Sequence, residues 1–177
     1  MVKYKYLIIV SLILSVCACS KIVGEDELIL LERIENTSEA LRLDGYYVRM
    51  IGDNNPTMIV YFFYRNGIVL SGGGATLSEL EELEERYRNG EFYTNVKNSK
   101  IFWGVYQLNA DEIRFERWYP SDRPYGSSLR IGKIQNDSTF IITSTADSDG
   151  SDVRFVNELF KFKEFSPKPD STNIFID

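Results

Sequence analysis

The feature that most constrains the fold is a succession of short segments, rich in aromatic and β-branched residues, that begins near residue 43 and continues past residue 160. Clusters of Gly, Asn, Asp, Pro and Ser separate these segments, and such spacing is typical of an antiparallel meander. Strands joined by sequential hairpins can close on themselves and so remove exposed edges. The pattern predicts a mainly β fold, either an up-and-down barrel or a strongly curved sheet, with about eight strands over residues 43–50, 58–64, 68–71, 100–108, 112–119, 128–134, 139–145 and 152–162.

Two glycine-containing stretches lie close to the third segment. Asn66-Gly67 is a strong hairpin signal because both residues tolerate positive φ, so it predicts that the second and third strands pair antiparallel. Gly72-Gly73-Gly74 has the placement of a phosphate-cradling loop, between a strand and a helix. It lacks the Lys-Ser/Thr ending of such loops, so a flexible bend that carries the chain off the sheet is the favoured interpretation.

One helix is predicted over residues 78–88, after the third strand. A capping box of Thr76 with Glu79, or of Ser78 with Glu81, would begin it, and the next two residues, Asn and Gly, would end it. Apolar residues recur at three-and-four spacing, so the helix has one stripe that packs on the sheet. The stripe consists of Leu77, Leu80, Leu83 and Tyr87, while Glu81, Glu82, Glu84 and Glu85 are expected to face mainly water.

The first residues have the order of a secretory signal. Lys3 and Lys5 precede an apolar run over residues 6–16, which is shorter than the roughly 20 residues that a membrane-spanning helix needs. Polar and acidic residues follow at once, beginning with Ser20 and Lys21. The segment is therefore predicted to be an export signal and not a transmembrane anchor.

The end of this signal, Leu14-Ser15-Val16-Cys17-Ala18-Cys19, resembles the lipobox of bacterial lipoproteins. Cys19 fits better than Cys17, because a small residue precedes Cys19 whereas bulky Val16 precedes Cys17. The resemblance implies that Cys19 is diacylated and becomes the new N-terminus, so that the lipid tethers the protein to a membrane. In the lipoproteins that it resembles, a residue other than Asp after the lipidated Cys permits transfer to the outer membrane, and Ser20 stands there.

Composition excludes several classes of function. The chain has no histidine and two cysteines, so serine–histidine triads and histidine-ligated zinc sites are excluded. Processing before Cys19 would remove Lys3 and Lys5, leaving 18 basic residues against 26 acidic ones and a net charge of −8. A surface of this charge repels nucleic acid and anionic lipid headgroups.

The β region resembles the lipocalin-like domains of small lipoproteins from Bacteroidetes-type bacteria. The resemblance lies in the opening strand, residues 43–47, in residues 104–108 leading to 113–115, and in residues 132–134 before 140–142. It implies a barrel that holds a small apolar ligand. The predicted organisation is a signal peptide (1–18), a lipidated tether with a short N-terminal segment (19–40), the lipocalin-like β domain (41–165) and a disordered tail (166–177).

The best candidate site is an aromatic, basic and proline-containing connection between two strands. At the rim of a barrel, Trp118, Tyr119 and Tyr125 would grip a ligand or partner, and Arg117 or Arg123 would meet a carboxylate; the alternative is an ordinary packed loop. Alternating aspartates at 147, 149 and 152 would suit calcium, but a solvated hairpin tip explains them better.

Three classes of function remain open. The leading interpretation is an extracytoplasmic binding or interaction module that holds a small lipophilic ligand or docks an envelope protein, with no cofactor and no metal. The others are a carboxylate-dependent hydrolase, for which no catalytic residue can be named, and a structural or inhibitory envelope protein with a filled core.

Overall fold

A computed structural model describes residues 25–120 and 124–177 of the chain. Eight antiparallel strands form a closed barrel in sequential order, which confirms the predicted fold class. The predicted signal segment, Cys19 and Arg123 lie outside the described residues. The strands are β1 (Gly45–Ile51), β2 (Thr57–Phe63), β3 (Ile68–Thr76), β4 (Trp103–Asn109), β5 (Glu112–Tyr119), β6 (Gly126–Asn136), β7 (Thr139–Asp147) and β8 (Arg154–Glu164).

Closure is made by the first and last strands. β1 pairs antiparallel with β8, and Tyr47 stands opposite Phe162 in that register. The predicted hairpin is confirmed, because β2 and β3 pair antiparallel around a turn in which Gly67 has a φ of +80°. The β2–β3, β4–β5 and β6–β7 turns and the start of β1 lie at one end of the barrel, called the closed end below. The opposite end, where the β5–β6 and β7–β8 connections lie, is called the rim.

The connection from β3 to β4 is helical, as predicted. A short 3-10 turn (Leu77–Glu79) leads into α1 (Leu80–Arg88), and a second short helix, α2 (Glu91–Val96), and another 3-10 turn (Lys100–Phe102) follow. Of the two predicted capping boxes, the structure has the one in which the Glu79 carboxylate accepts the Thr76 backbone N–H at 2.8 Å. No helix among the described residues is long and apolar enough to cross a membrane.

The helices pack against the outer wall of β1–β3. Leu83, Tyr87 and Phe92 join a buried cluster with the outward-facing residues of these strands. The glycine triplet lies inside this contact, so β3 runs on to Thr76 and the triplet is neither a phosphate loop nor a bend off the sheet. A side chain at Gly72 would come within 2.6 Å of the Tyr87 hydroxyl, which donates to the Gly72 carbonyl.

One glutamate of α1 departs from its prediction. Glu84 is buried, and its carboxylate accepts hydrogen bonds from the Tyr46 hydroxyl and from Lys163 Nζ, both at 2.6 Å. These two partners lie on β1 and β8, so Glu84 fastens the helix to the barrel near the closing seam. The spacing of the apolar residues predicts that Glu84 faces solvent. The buried face of the helix is wider than these apolar residues indicate, and it includes Glu84.

Glu84 should make stability fall at acid pH. Burial alone would raise the pKa of its carboxyl, but the hydrogen bonds from Lys163 and Tyr46 outweigh burial and hold the pKa below the usual glutamate value. A carboxyl with a depressed folded-state pKa contributes stability that is complete above its unfolded pKa and is lost as pH falls through the folded value. In urea unfolding from pH 7 to pH 3, Glu84→Gln should therefore lose less stability below about pH 4.5 than the wild type. The neighbouring Glu85→Gln should keep the wild-type profile, and an unchanged profile for Glu84→Gln would contradict the assignment.

The segment before β1, residues 25–44, is an extended strap on the outside of the barrel. It begins at the rim and descends to the closed end, where Asn36 N–H donates to the Arg65 carbonyl at 2.7 Å. The buried Glu116 carboxylate on β5 holds its middle by accepting the backbone N–H groups of Leu30 and Leu31. A carboxylate that accepts backbone donors replaces the strand pairing that the strap lacks.

The C-terminal tail, residues 166–177, makes defined contacts where the sequence predicts disorder. Lys168 Nζ donates to the carbonyls of Leu43 at 2.6 Å and Phe63 at 2.9 Å, under the closed end. The Tyr64 hydroxyl donates to the Pro169 carbonyl at 2.7 Å, and Phe175 packs beside Trp118. The proline-rich composition of the tail indicates too little apolar surface for the tail to fold by itself. Its partners lie on the barrel, and the composition of the tail does not reveal them.

Candidate functional site

The barrel interior has two unlike halves. The half near the closed end is filled by aromatic rings that point inward from six strands, and we call this set the aromatic floor. The centroids of neighbouring rings lie about 5–6 Å apart, in edge-to-face, tilted and stacked arrangements, and each ring-bearing residue is at most 1% exposed. The aromatic floor consists of Tyr47, Tyr61, Phe63, Tyr106, Phe115, Phe140 and Phe160.

The half near the rim is polar. On β5, Phe115 belongs to the aromatic floor, so Arg117 and Tyr119, two and four residues farther on, point to the same side of the strand. The register continues this layer across the sheet, since Arg117 stands opposite Ser128, and Arg130 opposite Thr145. On β5 the inward face therefore changes from an aromatic to a polar side chain within one pleat, and β6 and β7 continue the polar layer.

A buried carboxylate links two arginines just above the aromatic floor. Glu158 on β8 forms ion pairs with Arg49 at 2.6 Å and with Arg130. The Glu158 side chain is 10% exposed and the two arginine side chains are 23% and 21% exposed, so water screens the pairs only partly. A single carboxylate shared by two guanidinium groups leaves this layer with an excess of positive charge.

Arg117 has a different environment. Its Nε donates to the Tyr61 hydroxyl at 3.2 Å, and its Nη1 donates to the carbonyls of Ile101 and Trp118, both at 3.0 Å. It makes no ion pair with a carboxylate of residues 25–120 and 124–177. Neutral oxygens thus hold the guanidinium in place without cancelling its charge, and Nη2 forms no hydrogen bond with any residue in the same ranges.

Arg117 and Arg130 line a cavity of about 320 Å³ at the rim. Three arginines and two aspartates line it. Arg154 and Asp152, two of these residues, form an exposed ion pair. The lining is net positive although the whole chain is net negative. A planar guanidinium suits carboxylate and phosphate groups. The lining residues are Arg117, Tyr119, Ser128, Arg130, Thr145, Ala146, Asp147, Asp152 and Arg154.

The structure places two of the predicted site residues outside the barrel, against the strap. Trp118 follows Arg117 and therefore points outward, where its indole N–H donates to the Glu27 carbonyl at 2.7 Å. The Tyr125 backbone N–H donates to the Asp26 carboxylate at 2.8 Å. Both residues lie at the rim, as predicted, but they hold the strap.

Tyr119 is the predicted site residue that the structure brings into the cavity. Arg117, predicted with Arg123 to meet a carboxylate at the rim, also lines the cavity, whereas sequence reasoning missed Arg130. In the stretch Phe115-Glu116-Arg117, period-two alternation puts the arginine on the face of the buried phenylalanine. An inward arginine on a strand with an aromatic core face is the pattern that would have identified the cavity.

Two aspartates of the acidic connection between β7 and β8 already have partners within that connection or next to it. The Asp149 carboxylate accepts the Ser151 backbone N–H at 2.8 Å, and Asp152 pairs with Arg154. Within the described part of the chain, no group of three or more acidic or cysteine side chains is placed to hold a metal ion.

A second cavity, of about 450 Å³, lies at the closed end between the strap and the tail. The half-buried Lys168 lines it, and partial burial lowers the pKa of this ammonium to about 8. The ammonium is already bound to the Leu43 and Phe63 carbonyls. This cation is used to fasten the tail, so the rim cavity is the better candidate site.

Comparisons of the chain with protein-family models, with curated proteins and with solved structures find no match.

Proposed function

We propose that this chain is a lipid-anchored binding protein of the bacterial cell envelope, whose barrel holds a small ligand with a carboxylate or phosphate group. The observation that carries the proposal is the Arg117 guanidinium, which is held at the wall of the rim cavity without a carboxylate partner among the described residues. Desolvated, preoriented guanidinium groups bind anions more strongly than exposed ones.

The two halves of the barrel favour a ligand with an anionic group. A wholly apolar ligand would have to occupy the region that the aromatic floor fills, where Phe63 and Phe115 are fully buried. A ligand at the rim instead meets arginines above and aromatic rings below. The ligand is therefore small, anionic at one end, and apolar, if at all, only where it touches the floor.

The anchor is supported by the sequence of the first nineteen residues. The basic and apolar regions and the lipobox-like ending make Cys19 the acylated residue, and Ser20 after it favours the outer membrane. The extended strap suits this arrangement, because its hydrogen bonds to Glu116 attach the tether to the barrel although the strap is not a strand of the sheet.

Replacing Arg117 with methionine should weaken anion binding. Methionine keeps much of the volume and removes the charge, and a hydrogen bond to a charged group contributes about 1.5–3 kcal/mol, so affinity should fall by about 10–100-fold. Isothermal titration with inorganic phosphate and with hexanoate measures this. The matched control is Arg114→Met, since Arg114 lies three residues away on the same strand but points outward and pairs with Glu112.

The wild-type domain should bind one of these two probes saturably, and Arg114→Met should bind it as the wild type does. A well-folded wild type with no saturable binding of either probe would favour the structural interpretation, in which the barrel is a filled core. Equal losses in the two variants would show that charge in general, and not the cavity, attracts the anion.

Replacing Cys19 with serine should abolish acylation completely, because only a cysteine sulfur can carry the lipid thioether. Metabolic labelling with a clickable fatty acid measures the product, and the serine variant should accumulate as unlabelled precursor. Cys17→Ser is the matched control and should be labelled like the wild type. Labelling that persists in Cys19→Ser and disappears in Cys17→Ser would move the anchor to the other cysteine.

A further inference from the structure

The strap reaches the barrel at the rim and not at the closed end. The Asp26 carboxylate pairs with Lys100 Nζ at 2.7 Å, just before β4 begins at its rim end. The Glu27 carboxylate accepts the backbone N–H of Ser127 at 2.7 Å, at the rim end of β6. Any tether that precedes Glu25 therefore leaves the domain beside the opening of the rim cavity.

The tether between this point and the proposed lipid is short. From Cys19 to Glu25 the chain advances six residues, which span at most about 20 Å when fully extended. The closed end lies farther away by the length of a strand, about 26 Å for the eight residues of β5. The anchor thus keeps the rim near the membrane surface, whichever side of the barrel turns toward it.

Exposed apolar side chains are present at the rim. Phe155, the second residue of β8, is 88% exposed, and Val153 just before that strand is 54% exposed. Leu28 of the strap is 73% exposed and borders, with Asp147 and Asp149, a shallow cavity beside the β7–β8 turn. Large apolar side chains that are exposed at one end of a domain are typical of a contact surface.

We propose that the rim is a membrane-contacting surface, with Phe155, Val153 and Leu28 at the lipid interface and the rim cavity opening toward the headgroup layer. This inference rests on the lipid anchor of the proposed function. The partner is a lipid surface because the tether already holds these side chains within reach of one. The acidic tip, with Asp149 and Asp152, disfavours an anionic surface, so the contact is apolar and suits zwitterionic lipid.

The processed, acylated protein in phosphatidylcholine vesicles that carry a nitroxide-labelled phospholipid tests the orientation. Processing leaves no free cysteine, so an introduced cysteine takes a single fluorescent label. Ser151→Cys places the label at the rim and Asp111→Cys places it at the closed end; both positions are exposed turn residues. We expect the nitroxide lipid to quench the label at position 151 and to leave the label at position 111 bright.

A second pair of variants tests the apolar contact. Phe155→Ser should reduce quenching at position 151, whereas Leu159→Ser, on the same strand but farther from the rim, should leave it unchanged. Equal quenching at positions 151 and 111, or stronger quenching at 111, overturns the inference. If the protein is still bound to the vesicles, the proposed lipid anchor stands. Protein that fails to float with the vesicles overturns the anchor itself, and rim quenching lost through self-association of the protein would assign the surface to a second copy.

Discussion

Replacing Phe63 with alanine is expected to lower the free energy of unfolding by about 3–5 kcal/mol, the range for a large buried aromatic residue. Phe63 is 1% exposed, and its ring lies at the centre of the aromatic floor. The loss combines the transfer free energy of the ring with the cavity that it leaves, because rings on five strands cannot all move inward to close it. The neighbouring rings belong to Tyr47, Tyr61, Tyr106, Phe115 and Phe140.

Urea unfolding measures this effect, and Phe155→Ala is the matched control. Phe155 is the same residue type on a strand of the same barrel but is 88% exposed, so its loss should change stability by no more than about 0.5 kcal/mol. Similar values for the two variants would mean that the aromatic floor is not packed as described. The Phe63→Ala protein should also bind a small apolar dye that the wild type excludes, since apolar cavities of this kind accept apolar ligands.

Replacing Glu158 with glutamine is expected to cost about 3 kcal/mol, the low end of the range for breaking a buried ion pair, because the three side chains keep some exposure. Glutamine preserves the shape but leaves Arg49 and Arg130 facing each other across the barrel without a shared carboxylate. Two unpaired guanidinium groups in a half-buried layer repel each other and remain incompletely solvated.

An added anion should restore part of that stability. A ligand that binds only the folded state stabilises it by mass action, so Glu158→Gln should gain more than the wild type when the phosphate concentration is raised. Thermal unfolding with and without phosphate measures the difference, with sodium chloride at equal ionic strength as reference. Glu164→Gln is the control: its carboxylate pairs with Arg42 at the surface and is 73% exposed, so its loss should have little effect with or without phosphate. A phosphate response equal to that of the wild type would argue against an anion site above the aromatic floor.

Composition showed that the aromatic residues are numerous, but not which way each one points. Phe115, Phe140 and Phe160 lie inside the barrel as part of the floor. Phe62 and Trp103, from equally apolar strands, face outward and are buried because the helices cover that wall. The helices cover the outer face of β1–β3, so these strands are buried on both faces and have nearly continuous apolar sequences. The outer face of β8 is exposed, so apolar and polar residues alternate along it.

The candidate site shows the same division. The rim connection after β5 was correctly located by its turn residues, and Tyr119 does line the cavity. Trp118 was the more conspicuous residue, yet one step along a strand reverses the face, so its ring packs under the strap. Glu158 is separated from Arg49 by more than a hundred residues, and no local pattern connects the two.

The sequence by itself determined the elements whose causes are local. Strand positions follow from β-branched and aromatic runs, the Asn66-Gly67 turn from its tolerance of positive φ, and the helix from its capping box and its apolar stripe. The number of hairpins then predicted either a closed antiparallel barrel, which removes both edges, or a strongly curved sheet, and the structure shows the barrel.

Only the tertiary structure decided the features that depend on contacts between distant segments. The strap is held by Glu116, the tail by Lys168, and the charge of the rim cavity by how Glu158 is shared between arginines of two other strands. In each case a polar group finds its partner through the register of the barrel, and register is set by the whole ring of strands at once. The physical reason is that hydrogen bonds and ion pairs require matched atoms at about 3 Å, a condition that residue type and spacing along one segment do not specify.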